Sequence, residues 1–277
     1  MADPSANDDE AFRIADALVA KPLVWSRSAP SPSDCPVLTF VKFRAFDRAV
    51  KGYSSFVQLL KSGQWEDALV LARSLYELNV NLSAIQGSPD PEQAAKRFLR
   101  FGKFQLLRLE QRRLQDRLRD EKMAPQRSAQ AIADCEKKLA EIASTVNRDF
   151  AEFRKPKKGG GWLESWSGLS VETLAQRLAK KTGGRSSQSD YYVFSMASLF
   201  THNAPGALFL RLPPDRETSQ WNDFRAALDE AGRKGLRKFL HEASICFVDV
   251  VGMAGDSITG YEEQWFDEFA LPLLNEF

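Results

Sequence analysis

The feature that most constrains the fold is an apolar stripe within the most highly charged part of the chain. Between residues 126 and 154 its members recur at intervals of three and four, which places them on one face of an α-helix: Ile132, Cys135, Leu139, Ile142, Val146, Phe150 and Phe153. The preceding segment, residues 92–122, carries a weaker seam of leucines. The two segments flank the sequence MAPQ, so they are predicted to form an antiparallel helical hairpin at 92–154. Within it Ile132, Leu139, Ile142 and Val146 are expected to be mostly buried.

The rest of the chain repeats the helical period and shows no convincing alternation of the kind a β-strand needs. Further helices are predicted over Asp9–Ala20, from about Phe40 to Gly63, and over Trp65–Ile85, Val171–Lys181, 189–203 and Trp221–Ala254. The predicted fold class is all-α, an irregular helical bundle with a long antiparallel helical hairpin. Residues 1–36 are predicted as a short N-terminal helix and a Ser/Pro-rich loop. Residues 37–277 are predicted as a single all-α domain that includes the hairpin at 92–154 and an acidic C-terminal helix.

Composition narrows the class of protein and its compartment. The chain has 277 residues, of which 43% are hydrophobic, enough for a substantial core. Its three cysteines, Cys35, Cys135 and Cys246, match no metal-ligand or redox spacing, and such an isolated odd set suits a reducing cytosol. No stretch approaches the roughly 18 apolar residues of a membrane span, and MADPSANDDE lacks the features of a signal peptide. We expect a soluble cytoplasmic protein with no metal, no cofactor and no membrane contact.

Charge is distributed unevenly along the chain. Residues 96–158 hold 18 Lys and Arg against 9 Asp and Glu, while the whole chain has a net charge of only +1. The basic segment could bind phosphate backbones, with Arg112 and Arg113 among the contacts. A run of long charged side chains on a helix is, however, commonly a solvated face. It could also receive the acidic C-terminal segment, including that of a second copy in a homo-oligomer.

A polar stripe crosses an otherwise apolar stretch, YYVFSMASLFTHNAPGAL, which contains one of the two histidines. Tyr191, Ser195, Ser198 and His202 are spaced four, three and four residues apart, so a helix places them within one narrow arc. Buried polar groups need partners, because each unpaired one costs about 1–3 kcal/mol. The stripe therefore meets polar groups of a neighbouring helix or lines a wet cleft. The alternative is that His202 is a hydrogen-bonded residue of the core or of a helix end.

A second polar feature lies in ALVLARSLYELNVNL, where Arg73 and Glu77 stand four residues apart at the edge of an apolar face. As a surface ion pair they would contribute only a few tenths of a kcal/mol. As a functional pair, Glu77 would orient the Arg73 guanidinium for binding an anion or a carboxylate.

Several of these segments together resemble a known family. The segment ALVLARSLYELNVNLSAI, the segment RFLRFGKF, the tryptophan-containing loop and YYVFSMASLFTHNAPGAL are similar to domain of unknown function 5677, a group of mostly bacterial helical proteins. The resemblance covers roughly residues 38–210. It implies that an Arg and a Glu one turn apart, a lysine on the next helix, and a Ser and His four apart share one site. Those positions are Arg73, Glu77, Lys103, Ser198 and His202.

HEPN ribonucleases offer an analogy, since they pair an Arg and a His on one helix. No Arg precedes His202 at the required interval, and Arg237 precedes His241 with one residue too few between them. An active Arg–His pair would therefore have to form across helices. His241 is expected to be a packed or surface residue of a helix without a functional role.

Three functions of different classes remain open. The chain could be a nuclease or nucleotide-modifying effector in bacterial defence or toxicity, with His202, Arg73 and Glu77 as catalytic residues. Lys103, Ser198 and Tyr191 would then bind its substrate, RNA or an anionic small molecule. It could instead be a helical module that recognises an anionic ligand or a peptide without turnover. The third alternative is an interaction protein that binds another protein, or a second copy, through its acidic end.

The basic segment generates a binding prediction. We expect any affinity for nucleic acid to be weak, tolerant of sequence and strongly reduced by salt, because phosphate contacts release counterions. Replacing Arg112, Arg113 and Arg117 with Gln should lower that affinity in a titration against labelled RNA. Binding that ignores both salt and these substitutions would contradict the prediction.

Overall fold

The computed structural model describes residues 4–27, 35–124, 128–155, 161–182 and 218–276, and within these ranges the chain forms helices and no β-strand. The all-α fold class is thereby confirmed. The helices, labelled in chain order, are α1 (Pro4–Trp25), α2 (Val37–Lys61), α3 (Trp65–Gln86), α4 (Pro91–Met123), α5 (Ala129–Asp149), α6 (Val171–Thr182), α7 (Thr218–Ala254) and α8 (Leu271–Leu274). Short 3₁₀ turns lie at Ala151–Phe153 and Gly255–Ser257, and one π-helical segment spans Trp265–Ala270.

The chain divides into two compact units. The first unit comprises Met1–Pro89 and Val171–Phe277, and the second unit comprises Asp90–Ser170. The second unit begins at a helix cap, where the Asp90 carboxylate accepts a hydrogen bond from the Gln93 backbone N–H at 2.9 Å and Pro91 occupies the first turn. Both features favour helix initiation, since the first turn has unpaired N–H groups and proline lacks one.

The core of the first unit is formed where α2, α3 and α7 pack together, with α1 against α2 and α7. Its centre is a parallel stack of two aromatic rings, Tyr53 of α2 on Phe247 of α7, with centroids 4.4 Å apart and planes 5° apart. Both rings are fully buried. They belong to a larger group of buried side chains that includes Ile14, Leu18, Phe43, Phe46, Phe56, Leu75 and Leu82.

A buried hydrogen bond accompanies this stack. The Tyr53 hydroxyl and Ser244 Oγ lie 2.6 Å apart, and the Ser244 hydroxyl also lies 2.7 Å from the Leu240 carbonyl oxygen. Because a carbonyl can only accept, Ser244 donates to Leu240 and Tyr53 donates to Ser244. Burial raises the pKa of the Tyr53 hydroxyl, which keeps it protonated and able to donate.

Two glycines allow the segment after α7 to pack closely against that helix. A Cβ added to Gly252 would lie 2.8 Å from the Phe266 ring, and one added to Gly255 would lie 2.5 Å from the Tyr261 ring. Any larger residue would therefore push these rings away. Buried Trp265 meets Trp25 of α1 edge to face, with centroids 5.6 Å apart. The acidic C-terminal segment thus takes the form of the π-helical turn followed by the single turn of α8.

In the second unit α4 and α5 pack against each other in opposite directions. Lys122 and Glu136 form an ion pair at 2.8 Å near the connection, and Arg100 reaches Glu152 at 2.9 Å towards the other end. Of the four side chains predicted to be mostly buried, Val146 is buried, and three are half-buried: Ile132, Leu139 and Ile142. Cys135, on the same stripe, is also buried. The burial is incomplete because α4 offers few apolar partners along its length, with Phe101, Phe104 and Leu114 the main ones.

The direction of the Tyr53–Ser244 bond predicts unequal losses of stability. Tyr53→Phe leaves Ser244 bonded to Leu240, so it should lower the free energy of unfolding by about 1 kcal/mol. Ser244→Ala leaves a buried tyrosine hydroxyl without this partner and should cost more, about 1–3 kcal/mol. The double variant should lie near Tyr53→Phe. Urea unfolding monitored by circular dichroism measures all three.

Ser74→Ala is the matched control, because Ser74 makes the same bond to the carbonyl four residues back but is exposed. It should change the unfolding free energy by only a few tenths of a kcal/mol. A pH series adds a second check. The pKa of Tyr53 is raised by folding, so its contribution is complete below about pH 10 and is lost as the pH rises beyond it. Tyr53→Phe should lack that loss, and equal losses in both proteins would contradict the assignment.

Candidate functional site

Arg73 and Glu77 form an ion pair on α3. Arg73 Nε donates to Glu77 Oε1 at 2.9 Å, as the four-residue spacing allows. The Arg73 side chain is only 16% exposed and that of Glu77 is 37% exposed, so the pair lies at the margin of the core. Leu69, Ala72 and Leu75, which are buried, form the adjoining apolar face. The sequence predicted both the pair and its place at the edge of that face.

The geometry of this pair restricts how the arginine can be used. A contact through Nε holds the guanidinium plane in one direction, because that plane is rigid and its donors are fixed. The next turn is held as well, since Asn81 Nδ2 donates to the Glu77 carbonyl oxygen at 2.7 Å. An arginine that is largely buried and already oriented loses little conformational entropy on binding an anion.

Three of the predicted site residues lie outside the described residues: Tyr191, Ser198 and His202. Their placement beside Arg73 and Glu77 therefore stays a prediction. The remaining three, Lys103, Arg112 and Arg113, lie on α4 in the second unit, and all are exposed. Arg113 forms a two-pronged contact with Glu110, at 2.7 and 2.6 Å, and its hydrogen bond lowers the pKa of that carboxyl.

The second histidine, His241, is half-buried on α7, and burial lowers the pKa of its imidazole. Arg237, one turn earlier, donates through Nη2 to the Glu276 carbonyl oxygen at 3.4 Å. Among the described residues the buried Nε of Arg237 has no hydrogen-bond partner.

Sequence reasoning missed a polar cavity of about 970 Å³ in the first unit. Asn79 lies at its wall and donates to Asp249 at 3.0 Å, while Gln86 donates to the Met253 carbonyl oxygen at 2.8 Å. The signal was available, since Asn79, Ser83 and Gln86 recur at intervals of four and three along α3. Four carboxylates and one lysine line the cavity: Asp249, Asp256, Glu263, Asp267 and Lys42. It would repel a phosphate, so an anion site is not expected there.

The described part of the chain has neither a metal-binding cluster nor a membrane-spanning helix. No group of three or more His, Cys, Asp or Glu side chains in it is arranged to hold a metal ion. Nor does any helix there combine the length and the apolar character needed to cross a membrane.

These observations define a helical protein whose third helix carries a largely buried, oriented arginine at the edge of the core. Comparison with known families gives its affiliation. The chain belongs to the family of unknown function DUF5677, whose model matches residues 39–218. The match confirms the resemblance drawn from the sequence, and it spans the positions of Arg73 and Glu77 as well as those of Ser198 and His202. No curated protein and no solved structure matches the chain.

The burial of Arg73 predicts a measurable coupling with Glu77. A double-mutant cycle with Arg73→Ala and Glu77→Ala should give an interaction energy of at least about 1 kcal/mol, because water screens this pair less than an exposed one. The Glu10–Arg13 pair on α1 is the control, since its side chains are 45% and 62% exposed. That pair should couple more weakly, because water screens exposed charges. Equal couplings in urea unfolding would show that the burial of Arg73 has no energetic consequence.

Proposed function

We propose that this protein cleaves RNA, with His202 as the proton-transferring group and Arg73 as the group that stabilises negative charge on the reacting phosphate. Glu77 orients Arg73, and Ser198 and Tyr191 contact the substrate. This is the chemistry of a bacterial toxin or defence effector. The observation that carries the proposal is the Arg73–Glu77 pair, in which a largely buried guanidinium is held in one direction by a contact of 2.9 Å.

The burial of Arg73 supports a functional role because the core does not need it. Taking a guanidinium out of water is costly unless the group is paired and hydrogen-bonded, and an apolar side chain at the edge of the same face would avoid that cost. Helix α3 nevertheless keeps Arg and Glu one turn apart, in the arrangement that the family resemblance associates with the Ser and His at 198 and 202. An oriented cation beside a histidine is suited to phosphoryl chemistry.

The reaction proposed is an internal transfer within RNA. The His202 imidazole takes the proton from a 2′-hydroxyl, and the resulting oxygen attacks the adjacent phosphorus. The bond from phosphorus to the 5′-oxygen breaks, and that oxygen leaves with a proton from the solvent. The products are a 2′,3′-cyclic phosphate and a 5′-hydroxyl end. Arg73 acts on the phosphoryl oxygens, whose negative charge increases in the transition state.

Binding of an anionic ligand without turnover is the second candidate. The Glu77 contact favours it, because a carboxylate at 2.9 Å offsets part of the positive charge that Arg73 offers to a transition state. The two candidates use the same residues and differ only in whether a bond is broken. One set of variants therefore distinguishes them.

The test is incubation of the purified full-length protein with end-labelled single-stranded RNA in EDTA, followed by analysis of the product ends. His202→Ala should lower the cleavage rate at least about 100-fold, the usual contribution of a general acid or base. Arg73→Ala should lower it by a similar factor. DNA of the same sequence should remain intact because it lacks the 2′-hydroxyl. His241→Ala is the matched control and should stay within about twofold of the unaltered protein, since it removes the other histidine.

The outcomes separate the candidates. RNA that binds in a His202-dependent way but is never cut supports the binding module. Cleavage that persists in His202→Ala, while the variant keeps its helical circular dichroism, refutes the proposed mechanism. If His202→Ala instead unfolds the protein, His202 is a structural residue, and both candidates fail for this position.

A further inference from the structure

The second unit contains a groove that neither the proposed reaction nor the family resemblance uses. It has a volume of about 800 Å³ and lies between one face of α4 and the segment 161–164. Its wall on α4 comes from residues that recur at helical intervals, and its opposite wall includes Trp162. We name it the aromatic groove and define it by Phe101, Phe104, Arg108, Leu109, Arg112 and Trp162.

The position of Trp162 in this groove is fixed by the backbone. Lys155 donates its backbone N–H to the Gly161 carbonyl oxygen at 2.8 Å, and Leu163 donates to the Phe153 carbonyl oxygen at 2.8 Å. These bonds frame an isolated antiparallel bridge between Arg154 and Trp162. The indole lies beside the buried Phe104 ring, with centroids 5.1 Å apart. Trp162 is half-buried and lines the groove, and the Arg154 guanidinium lies over its ring, 5.1 Å from the centroid.

The charge of the groove is positive because its arginines are not neutralised. Arg108 donates through Nη1 to the neutral amide oxygen of Gln111 at 2.6 Å. Within the part of the chain that the structure describes, Arg112 has no hydrogen bond or ion pair and is exposed. Glu164, a carboxylate that also lines the groove, is paired with Lys155 at 2.8 Å, and this hydrogen bond lowers the pKa of that carboxyl.

Three other arginines of α4 are paired with carboxylates. Arg100 pairs with Glu152, Arg113 with Glu110, and Arg119 with Asp116. Compensated and uncompensated arginines therefore share one helix, and the two uncompensated ones of the groove stand one turn apart. Their Cβ atoms are then about 6 Å apart, an interval comparable to that between successive phosphates of an extended strand.

A ligand for this groove has to combine negative charges at that interval with a flat apolar group. Leu109, at 63% exposure, adds further apolar surface at the rim. The unit as a whole is basic, with 18 Lys and Arg against 12 Asp and Glu between residues 90 and 170. Single-stranded nucleic acid has phosphates for the arginines and base faces for the aromatic wall. An acidic peptide would match the arginines alone.

We propose that the aromatic groove binds a segment of single-stranded RNA, with phosphates against Arg108 and Arg112 and a base against Trp162. The proposal rests on the proposed function only for the choice of RNA as the polymer. It extends that function by naming the surface that holds the strand, which the chemistry at Arg73 and His202 does not specify.

The first test measures the affinity of the full-length protein for labelled oligouridine by fluorescence anisotropy over a range of salt concentrations. Arg108→Gln together with Arg112→Gln should weaken binding at least tenfold. It should reduce the slope of log affinity against log salt by about 1.4, since each phosphate contact with a single strand releases about 0.7 counterion. Lys137→Gln with Lys138→Gln is the control. These substitutions also remove two positive charges from the second unit, but at exposed positions of α5 outside the groove. Equal losses in the two double variants would overturn the groove as the binding surface.

The second test concerns the aromatic wall. Trp162→Leu should weaken oligouridine binding about fivefold or more, whereas Trp162→Phe, which keeps a ring, should retain most of it. Circular dichroism checks that Trp162→Leu remains folded. If it does not, Leu109→Asp takes its place, because Leu109 is exposed and its loss should leave the fold intact while placing a negative charge at the rim. Inorganic polyphosphate and poly-glutamate serve as competitors without bases. If either competitor displaces labelled oligouridine as effectively as unlabelled oligouridine does, at the same concentration of negative charge, the groove does not bind bases.

The experiments test RNA binding in the aromatic groove separately from RNA cleavage by His202. Groove-dependent binding in a protein that never cuts RNA leaves the groove established and the cleavage mechanism refuted. Suppose instead that cleavage depends on His202, and that the double variant Arg108→Gln with Arg112→Gln has an unchanged KM and an unchanged affinity for oligouridine. The cleavage mechanism is then supported, and the groove is refuted as the binding surface.

Discussion

The stacking of Tyr53 on Phe247 is the contact on which the first unit depends. It joins α2 to α7, and the hydrogen bond that accompanies it connects residues 191 positions apart in the chain. Closing so long a loop has an entropic cost, and the buried aromatic area at the junction offsets it. Helix α3 packs against both of the helices that this contact brings together. The surroundings of Arg73 and Glu77 therefore follow from a contact that involves neither residue.

Helix α3 shows how polar groups are kept at the edge of a core. Asn79 bonds to Asp249, Gln86 bonds to the Met253 carbonyl oxygen, and Arg73 bonds to Glu77. Each contact satisfies a group whose burial would otherwise destabilise the fold. The charges differ along the helix, however. The cavity beside Asn79 is lined mainly by carboxylates, whereas Arg73 supplies a cation about two turns earlier, and only the latter suits a phosphate.

Ion pairs neutralise part of the positive charge of the second unit. An excess of Lys and Arg by itself attracts any polyanion without selecting a surface. Ion pairs at intervals of three residues on α4, and contacts from α4 to Glu136 and Glu152, neutralise part of that excess. Arg108 and Arg112 are among the cations that these pairs leave uncompensated, and they line the same groove as Phe104 and Trp162.

The sequence by itself determined the helices and the candidate polar pair. Intervals of three and four apolar residues are a property of one helix, so α2 to α5 could be located to within a few residues, and the Arg73–Glu77 contact follows from an interval of four. The family affiliation was also present in the sequence, because it depends on residue types at given positions. Tertiary structure alone decided which helices meet. The Tyr53–Phe247 stack, the Asn79–Asp249 bond and the pairing of Trp162 with Phe104 join residues that no local period relates. Those contacts depend on the shapes and charges of surfaces that exist only once the helices have packed, which is why the cavity and the aromatic groove could not be predicted from the sequence.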